Sequence, residues 1–394
     1  MKRRNLLQSV AALSLAAGAG QLLAAPAAQS RLLVVFLRGA YDACNLLVPI
    51  SSNFYYEARP DIAVLRPGAD LNSALPLTAD WGLHPALRDT VYPLFQKGEL
   101  AFIPFAGTDD SSRSHFETQD SIELGQALDR SRDYRSGFMN RLAAVVNGAA
   151  PIAFTNQLPL VLQGQVQVPN AALKAVAKSS VDTRQSQLIA SMYQGTALAS
   201  RVDEGFSVRD EVMREMSAEM DAASRNAMTA KGFGGEARRI ARLMRDRYNL
   251  GFVDVGGWDT HVNQGGAQGY LANRLDELGQ GLAAFAQEMG PAWRDTTVVV
   301  VSEFGRTFRQ NGNRGTDHGH GTVYWVLGGS VRGQRMAGEQ VRVEPASLFQ
   351  NRDYPVLNEY RAVLAGLFAR QFGLNTGQLD QVFAGVKARD LGLL

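Results

Sequence analysis

Four of the five histidines in this 394-residue chain stand in three short polar stretches, "SRSHFE", "GGWDTH" and "GTDHGHG". Asp259 and His261 flank Thr260, and a D-x-H pair in a loop offers a carboxylate and an imidazole to one metal ion, at roughly 2.0–2.2 Å if the ion is zinc. Asp317, His318 and His320 alternate with Gly315, Gly319 and Gly321. They supply hard and borderline ligands on a backbone free to bend around an ion. Glu303 follows a run of four valines and a serine, where a carboxylate is costly unless something positive meets it. Each motif also has a plainer reading: a turn aspartate for Asp42, an ion pair for Glu303 with Arg306, solvated histidines in a glycine turn. The conjunction points to a metal site.

Ser114 and Glu117 form the S-x-x-E pattern of a capping box. A serine at a helix N-terminus also lies beside backbone N–H groups and a positive dipole end, which suits an attacked phosphate or sulfate. Ser112 is the alternative nucleophile. Arg113 and Arg306 carry planar guanidinium groups that match the nonbridging oxygens of such an ester, with structural ion pairing as the other reading. Asn45 is a neutral donor nearby in sequence to Asp42. His84, followed by Pro85, is expected to cap or pack rather than to ligate.

These residues follow or precede short continuous apolar runs: Leu32 to Leu37, Leu100 to Phe105, Leu250 to Val255, Thr296 to Ser302 and Thr322 to Gly328. Continuous runs of this length read as strands buried on both faces of a parallel sheet. Helical stretches alternate with them: His84 to Lys97, His115 to Leu128, and Leu271 to Met289 before Gly290. The fold class expected is α/β, a mostly parallel central sheet with helices on both faces. Ligands bind such sheets off the carboxyl ends of the strands, and that is where the polar stretches fall. The more polar region at about 120–247 is expected to be a mainly helical insertion, with Val212, Met216 and Met220 forming an amphipathic stripe.

The first 28 residues, a basic start followed by an apolar stretch and small residues, read as an export signal, leaving residues 29–394 as one α/β domain. Arg3 and Arg4 before Asn5 and Leu6 resemble a twin-arginine motif, with a general secretion signal as the alternative. The mature protein is then expected in the periplasm or outside the cell. One cysteine, Cys44, excludes an intramolecular disulfide. Forty basic and 38 acidic residues give a formal charge of +2, without the charge runs that nucleic acid or anionic membrane partners call for. After the signal no apolar segment approaches the ~20 residues of a membrane span. The pattern names no oligomeric state.

In order along the chain, "VVFLRGAYDACNLLVPI", "SRSHFETQDSIE", "GGWDTH", "SEFGRT" and "GTDHGHG" resemble the domain-of-unknown-function family 1501, exported bacterial proteins of the alkaline phosphatase and sulfatase-like superfamily. The matches run from about Leu33 to Gly329 and on toward the helix near Tyr360. The resemblance implies a divalent metal centre of one or two ions, zinc first, with manganese or calcium as alternatives. It implies Asp42 as a ligand of one ion, a helix-start serine as nucleophile, and Asp259 and His261 as ligands of the other. "VVVVSEFGR" stands where the superfamily has Asp-His, so Glu303 replaces the aspartate and Phe304 stands at the histidine position. His318 or His320 then supplies the missing coordination. "CNLLV" lacks the proline and arginine of the Cys-x-Pro-x-Arg motif, which argues against a formylglycine sulfatase.

The activity expected is hydrolysis or transfer at a phosphate, phosphonate or sulfate ester, on a small anionic or polymeric substrate. Metal ions lower the pKa of the Ser114 hydroxyl or of a bound water and hold the attacking and leaving oxygens. The rival reading is a non-catalytic, metal-stabilised exported protein that binds a partner. A carboxyl-ester serine hydrolase comes last, for want of a G-x-S-x-G elbow.

Overall fold

The computed structural model describes residues 30–171, 196, 224–225 and 227–394. The expected export signal and the methionine stripe at 212–220 lie outside the described residues. The core strands are β1 (Arg31–Leu37), β2 (Leu100–Gly107), β3 (Pro151–Ala153), β4 (Leu250–Gly256), β5 (Thr296–Ser302) and β6 (Thr322–Leu327). They lie in one sheet in the order β2-β6-β5-β1-β4-β3, with the two-residue strand Arg335–Met336 beyond β2. β1 runs parallel to both β4 and β5, and β3 runs parallel to β4.

Continuous apolar runs arise here because both faces of the sheet are covered. In β1, Leu33, Val35 and Leu37 point into one core, while Leu32, Val34 and Phe36 point into the other. This is the period-2 alternation of a strand with apolar residues on both sides. The first core is closed by α3 (Ala230–Asp246) through Phe233, Ala237, Ile240 and Met244, and by α4 (Tyr270–Met289) through Leu271, Leu275, Leu278, Leu282 and Phe285. On the opposite face lie α1 (His115–Leu124), α2 (Phe138–Val145), α5 (Tyr360–Phe372) and α6 (Thr376–Val382). They contribute Ile122, Phe138, Leu142, Val363, Leu364, Phe368 and Val382.

Several expectations need correction. β6 is antiparallel to both neighbours, β2 and β5. Its first residue therefore lies at the edge where the other strands end, which brings the loop before it to that edge. The 84–97 stretch is not one helix: Pro85 starts a three-residue 3-10 turn and Pro93 lies in the first turn of a separate short helix, Tyr92–Gln96, since proline starts helices well and continues them badly. α1 ends at Leu124 rather than Leu128, because Gly125 takes the left-handed conformation of a C-cap. Within the 120–247 region, β3 pairs with β4 and α3 covers the sheet; residues 172–195, 197–223 and 226 lie outside the described residues.

Candidate metal centre

The register of the sheet aligns Leu37 with Val255 and with Ser302, and Thr322 with Ala106. The segments that follow β1, β2, β4 and β5, and the one that precedes β6, therefore share one edge. There His115, the first residue of α1, meets Asp259 from the loop after β4 and His318 from the loop before β6, with ligand atoms within 4.8 Å of one another.

Nε2 of His318 lies 3.0 Å from Nε2 of His115 and 3.0 Å from Nε2 of His261. His261 Nε2 is 2.9 Å from Asp259 Oδ1, and His115 Nε2 is 3.4 Å from Asp259 Oδ2. The atoms of His115, Asp259 and His318 thus face one point, with His261 beside them on the Asp259 Oδ1 side. The opposite nitrogens are held from outside. His318 Nδ1 lies 3.0 Å from the Arg113 carbonyl, which can only accept, so this nitrogen carries the proton. His115 Nδ1 donates to Glu303 Oε1 at 2.8 Å, and His261 Nδ1 faces Asp317 Oδ1 at 3.5 Å. Outer acceptors of this kind fix the tautomer of metal-binding histidines.

Neutral rings held in this way turn bare Nε2 lone pairs toward each other at 3.0 Å, which is repulsive unless a proton or a cation sits among them. Burial opposes charging His115, but hydrogen bonds and charges of Asp259 and Glu303 outweigh it and push its pKa up to about 9. Burial alone would raise the Asp259 pKa; Arg306 and the three histidines hold it far below the usual carboxylate range. Asp259 Oδ2 is buried without a well-formed hydrogen bond, His115 Nε2 lying 3.4 Å away, so a charged oxygen there calls for a cation, either a protonated ring or a metal ion. Two imidazoles and one carboxylate fit a divalent ion of the zinc type with a position left open.

The loops reach this arrangement through glycines with no room for a side chain. A Cβ on Gly315 would lie 2.3 Å from the His261 carbonyl, and one on Gly319 would lie 2.4 Å from the carbonyl carbon of Arg306. The "GTDHGHG" glycines let this loop lie against its neighbours.

Of the residues expected as ligands, Asp259, His261 and His318 come together and four do not join them. Asp42 is fully buried, but Arg59 contacts both its oxygens and Gln264 donates to Oδ2 at 2.6 Å. Its charge is met by a guanidinium. Glu303 Oε1 accepts from His115 Nδ1, from Gly39 N at 2.8 Å and from Gln119 Nε2 at 2.9 Å, and Oε2 accepts from Ser302. It holds the His115 ring, and its pKa falls to about 2 because hydrogen bonding to His115 and Gln119 outweighs burial. Asp317 is half exposed behind His261. His320 lies against Phe349, ring centres 4.7 Å apart, outside the cluster. Phe304, at the position where the resemblance expects a histidine, stacks on His115 at 4.9 Å.

The residues expected around the substrate are also committed elsewhere. Arg306 is buried behind Asp259, contacting Asp259 Oδ1, the Thr316 carbonyl and, at 3.2 Å, Thr316 Oγ1. Arg113 pairs with Asp353 and Gln350. Asn45 accepts from Tyr55 and Arg59 and donates to the Ile62 carbonyl. Ser114 is the N-cap of α1, accepting from Glu117 N at 3.5 Å. Ser112 is exposed, its hydroxyl 3.3 Å from that of Thr118. Sequence reasoning left His115 without a metal role; its signal was that it stands among the loop histidines. Arg59, Gln119 and Gln264 carried no such signal. His84 behaves as expected: Nδ1 accepts from Ala86 N at 3.1 Å and Nε2 donates to the Gly266 carbonyl at 3.0 Å.

Solved structures with a related course of the chain include a protein in the alkaline phosphatase superfamily from Vibrio parahaemolyticus, with TM-score 0.43 and 10% identity over 93% of this chain and 70% of that one. The lipoteichoic acid synthase LtaP from Listeria monocytogenes gives TM-score 0.38 and 8% identity over 92% of this chain and 75% of that one. BT1596, a 2-O GAG sulfatase, gives 0.37 and 8% over 91% and 75%. No curated protein matches the sequence. The family model described as "protein of unknown function (DUF1501)" matches residues 29–383, so the chain belongs to that family.

Proposed function

We propose that this protein is a metal-dependent hydrolase or transferase of phosphate, phosphonate or sulfate esters, working at one divalent ion held by His115, Asp259 and His318, with His261 beside Asp259. The observation that carries the reading is the convergence of three imidazole Nε2 atoms, each within 3.6 Å of an oxygen of one buried carboxylate. A divalent ion there supplies a Lewis acid that lowers the pKa of water toward neutrality and polarises an ester oxygen. Glu303 and the Arg113 carbonyl hold His115 and His318 in the tautomer that turns Nε2 inward. Arg306 keeps Asp259 ionised. A single ion fits better than two, because Asp42 and Glu303 have their charges met by Arg59 and by His115. Water is the nucleophile in this reading, since Ser114 caps α1. Residues 1–28 direct the protein out of the cytoplasm by the twin-arginine route, with general secretion as the alternative. Among the described residues no helix is long and apolar enough to cross a membrane.

One observation favours a second reading, a non-catalytic metal-stabilised protein: both guanidiniums expected to grip an ester, Arg113 and Arg306, are bound to protein groups. Elemental analysis of the full chain after supply of zinc, manganese or calcium, followed by turnover of aryl phosphates, phosphodiesters, phosphonates and sulfates, separates the two. One bound ion, with turnover lost in His318→Ala, supports the enzyme. Bound ion without turnover supports the second reading, and no bound ion removes both.

A further inference from the structure

We infer that the ion pair between Arg113 and Asp353 is a positioning clamp for His318, holding Arg113 in a left-handed backbone conformation that aims its carbonyl at Nδ1 of the ring. Arg113 has φ +55°, a conformation that costs a residue with a Cβ and that short turns normally give to glycine. The turn is needed because the next residue, Ser114, must be extended to cap α1, with φ −96° and ψ 121°. The strained residue is held by its own side chain. Nε and Nη2 both donate to Asp353 Oδ2, at 3.1 and 2.8 Å, and Nη2 donates to Gln350 Oε1 at 2.6 Å. The Asp353 side chain is fully buried, so this anchor is not a loose surface pair.

The receiving segment is shaped for it as well. Gln350 and Asn351 are both left-handed, at φ +53°, and Arg352 also contacts Asp353, at 3.2 and 3.3 Å. Two strained segments are thus locked together by one guanidinium. The product of that lock is the 3.0 Å contact from the Arg113 carbonyl to His318 Nδ1, which leaves Nε2 of His318 facing Asp259. Arg113 therefore acts through its backbone, and its side chain is a tether.

The inference rests on the metal reading for its effect on affinity but not for its effect on the ring. Two measurements keep the two ideas apart. In the metal-free full chain, long-range proton–nitrogen NMR of the imidazoles reports the His318 tautomer. In the same protein, chelator competition reports zinc affinity. Arg113→Ala loses the tether but keeps the strain, so His318 leaves the pure Nδ1–H form and zinc binding weakens about tenfold. Arg113→Gly loses the tether and the strain together, so both readouts return to within about threefold of the wild type. Asp353→Asn follows Arg113→Ala and covers the case in which that variant fails to fold. An unchanged His318 tautomer in Arg113→Ala and Asp353→Asn overturns the clamp, as does an Arg113→Gly protein as impaired as Arg113→Ala. A wild type that binds no zinc overturns the metal reading alone, and the tautomer result then decides the clamp by itself.

Discussion

Replacing Asp259 by asparagine preserves shape and removes one charge, and the structure says where the cost falls. The Arg306 side chain is wholly buried and Asp259 is its carboxylate partner. Its remaining contacts, the Thr316 carbonyl and Oγ1, are neutral. Stripping one partner from a buried pair leaves an uncompensated charge and costs about 3–5 kcal/mol, a large part of the roughly 5–15 kcal/mol that holds a domain together. Guanidinium unfolding in the presence of chelator, followed by tryptophan fluorescence, measures it without metal linkage; Trp258 is next in sequence and fully buried. The double variant Asp259→Asn with Arg306→Met removes both charges, and an apolar replacement of a buried pair is often neutral. It should recover most of the loss while binding no zinc, because the carboxylate ligand is gone. If the single variant lies within about 1 kcal/mol of wild type, or the double is no more stable than the single, the account of Asp259 as a charge locked between Arg306 and the histidines is wrong.

His84 gives a pH prediction. Burial pushes its pKa from 6.5 down to about 4, so the unfolded chain takes up a proton that the folded one refuses. Stability is then present above about 6.5 and lost as pH falls toward 4, by on the order of 3 kcal/mol; a His84→Gln protein with the same acid-side slope in urea midpoints removes the assignment. Gly319→Ala forces a Cβ against the Arg306 carbonyl and should lower stability by about 1–3 kcal/mol, with a matching loss of zinc affinity. Unchanged melting and affinity show that the loop can yield. Ser114→Ala removes the cap of α1, costing about 1 kcal/mol while leaving zinc stoichiometry at one. Loss of all turnover at full zinc occupancy would instead make the serine the nucleophile.

The strands were legible because burial on both faces writes itself into unbroken apolar runs such as "LLVVFL" and "TTVVVVS". β3 was not, since three residues carry no period, and the two prolines that break the 84–97 stretch were outweighed by its apolar content. In the site, Asp259, His261 and His318 were legible as metal-binding types in short glycine-rich or polar loops. Asp42, Glu303, Arg113 and Arg306 were legible as polar residues at the right edge but not in their partners. A carboxylate reads the same whether it meets a metal, a guanidinium or an imidazole.

By itself, the sequence determined the α/β class, the sheet edge at which the polar residues gather and which of them are of metal-binding type, because hydrophobic period and residue chemistry are local properties. The tertiary structure alone decided that β6 runs antiparallel and so delivers His318 to that edge. It alone joined His115 to a centre more than a hundred residues away in sequence, and it gave Asp42 to Arg59 and Glu303 to His115. Which charge neutralises which depends on distances of about 3 Å between segments far apart in the chain, and those distances exist only after the sheet has closed.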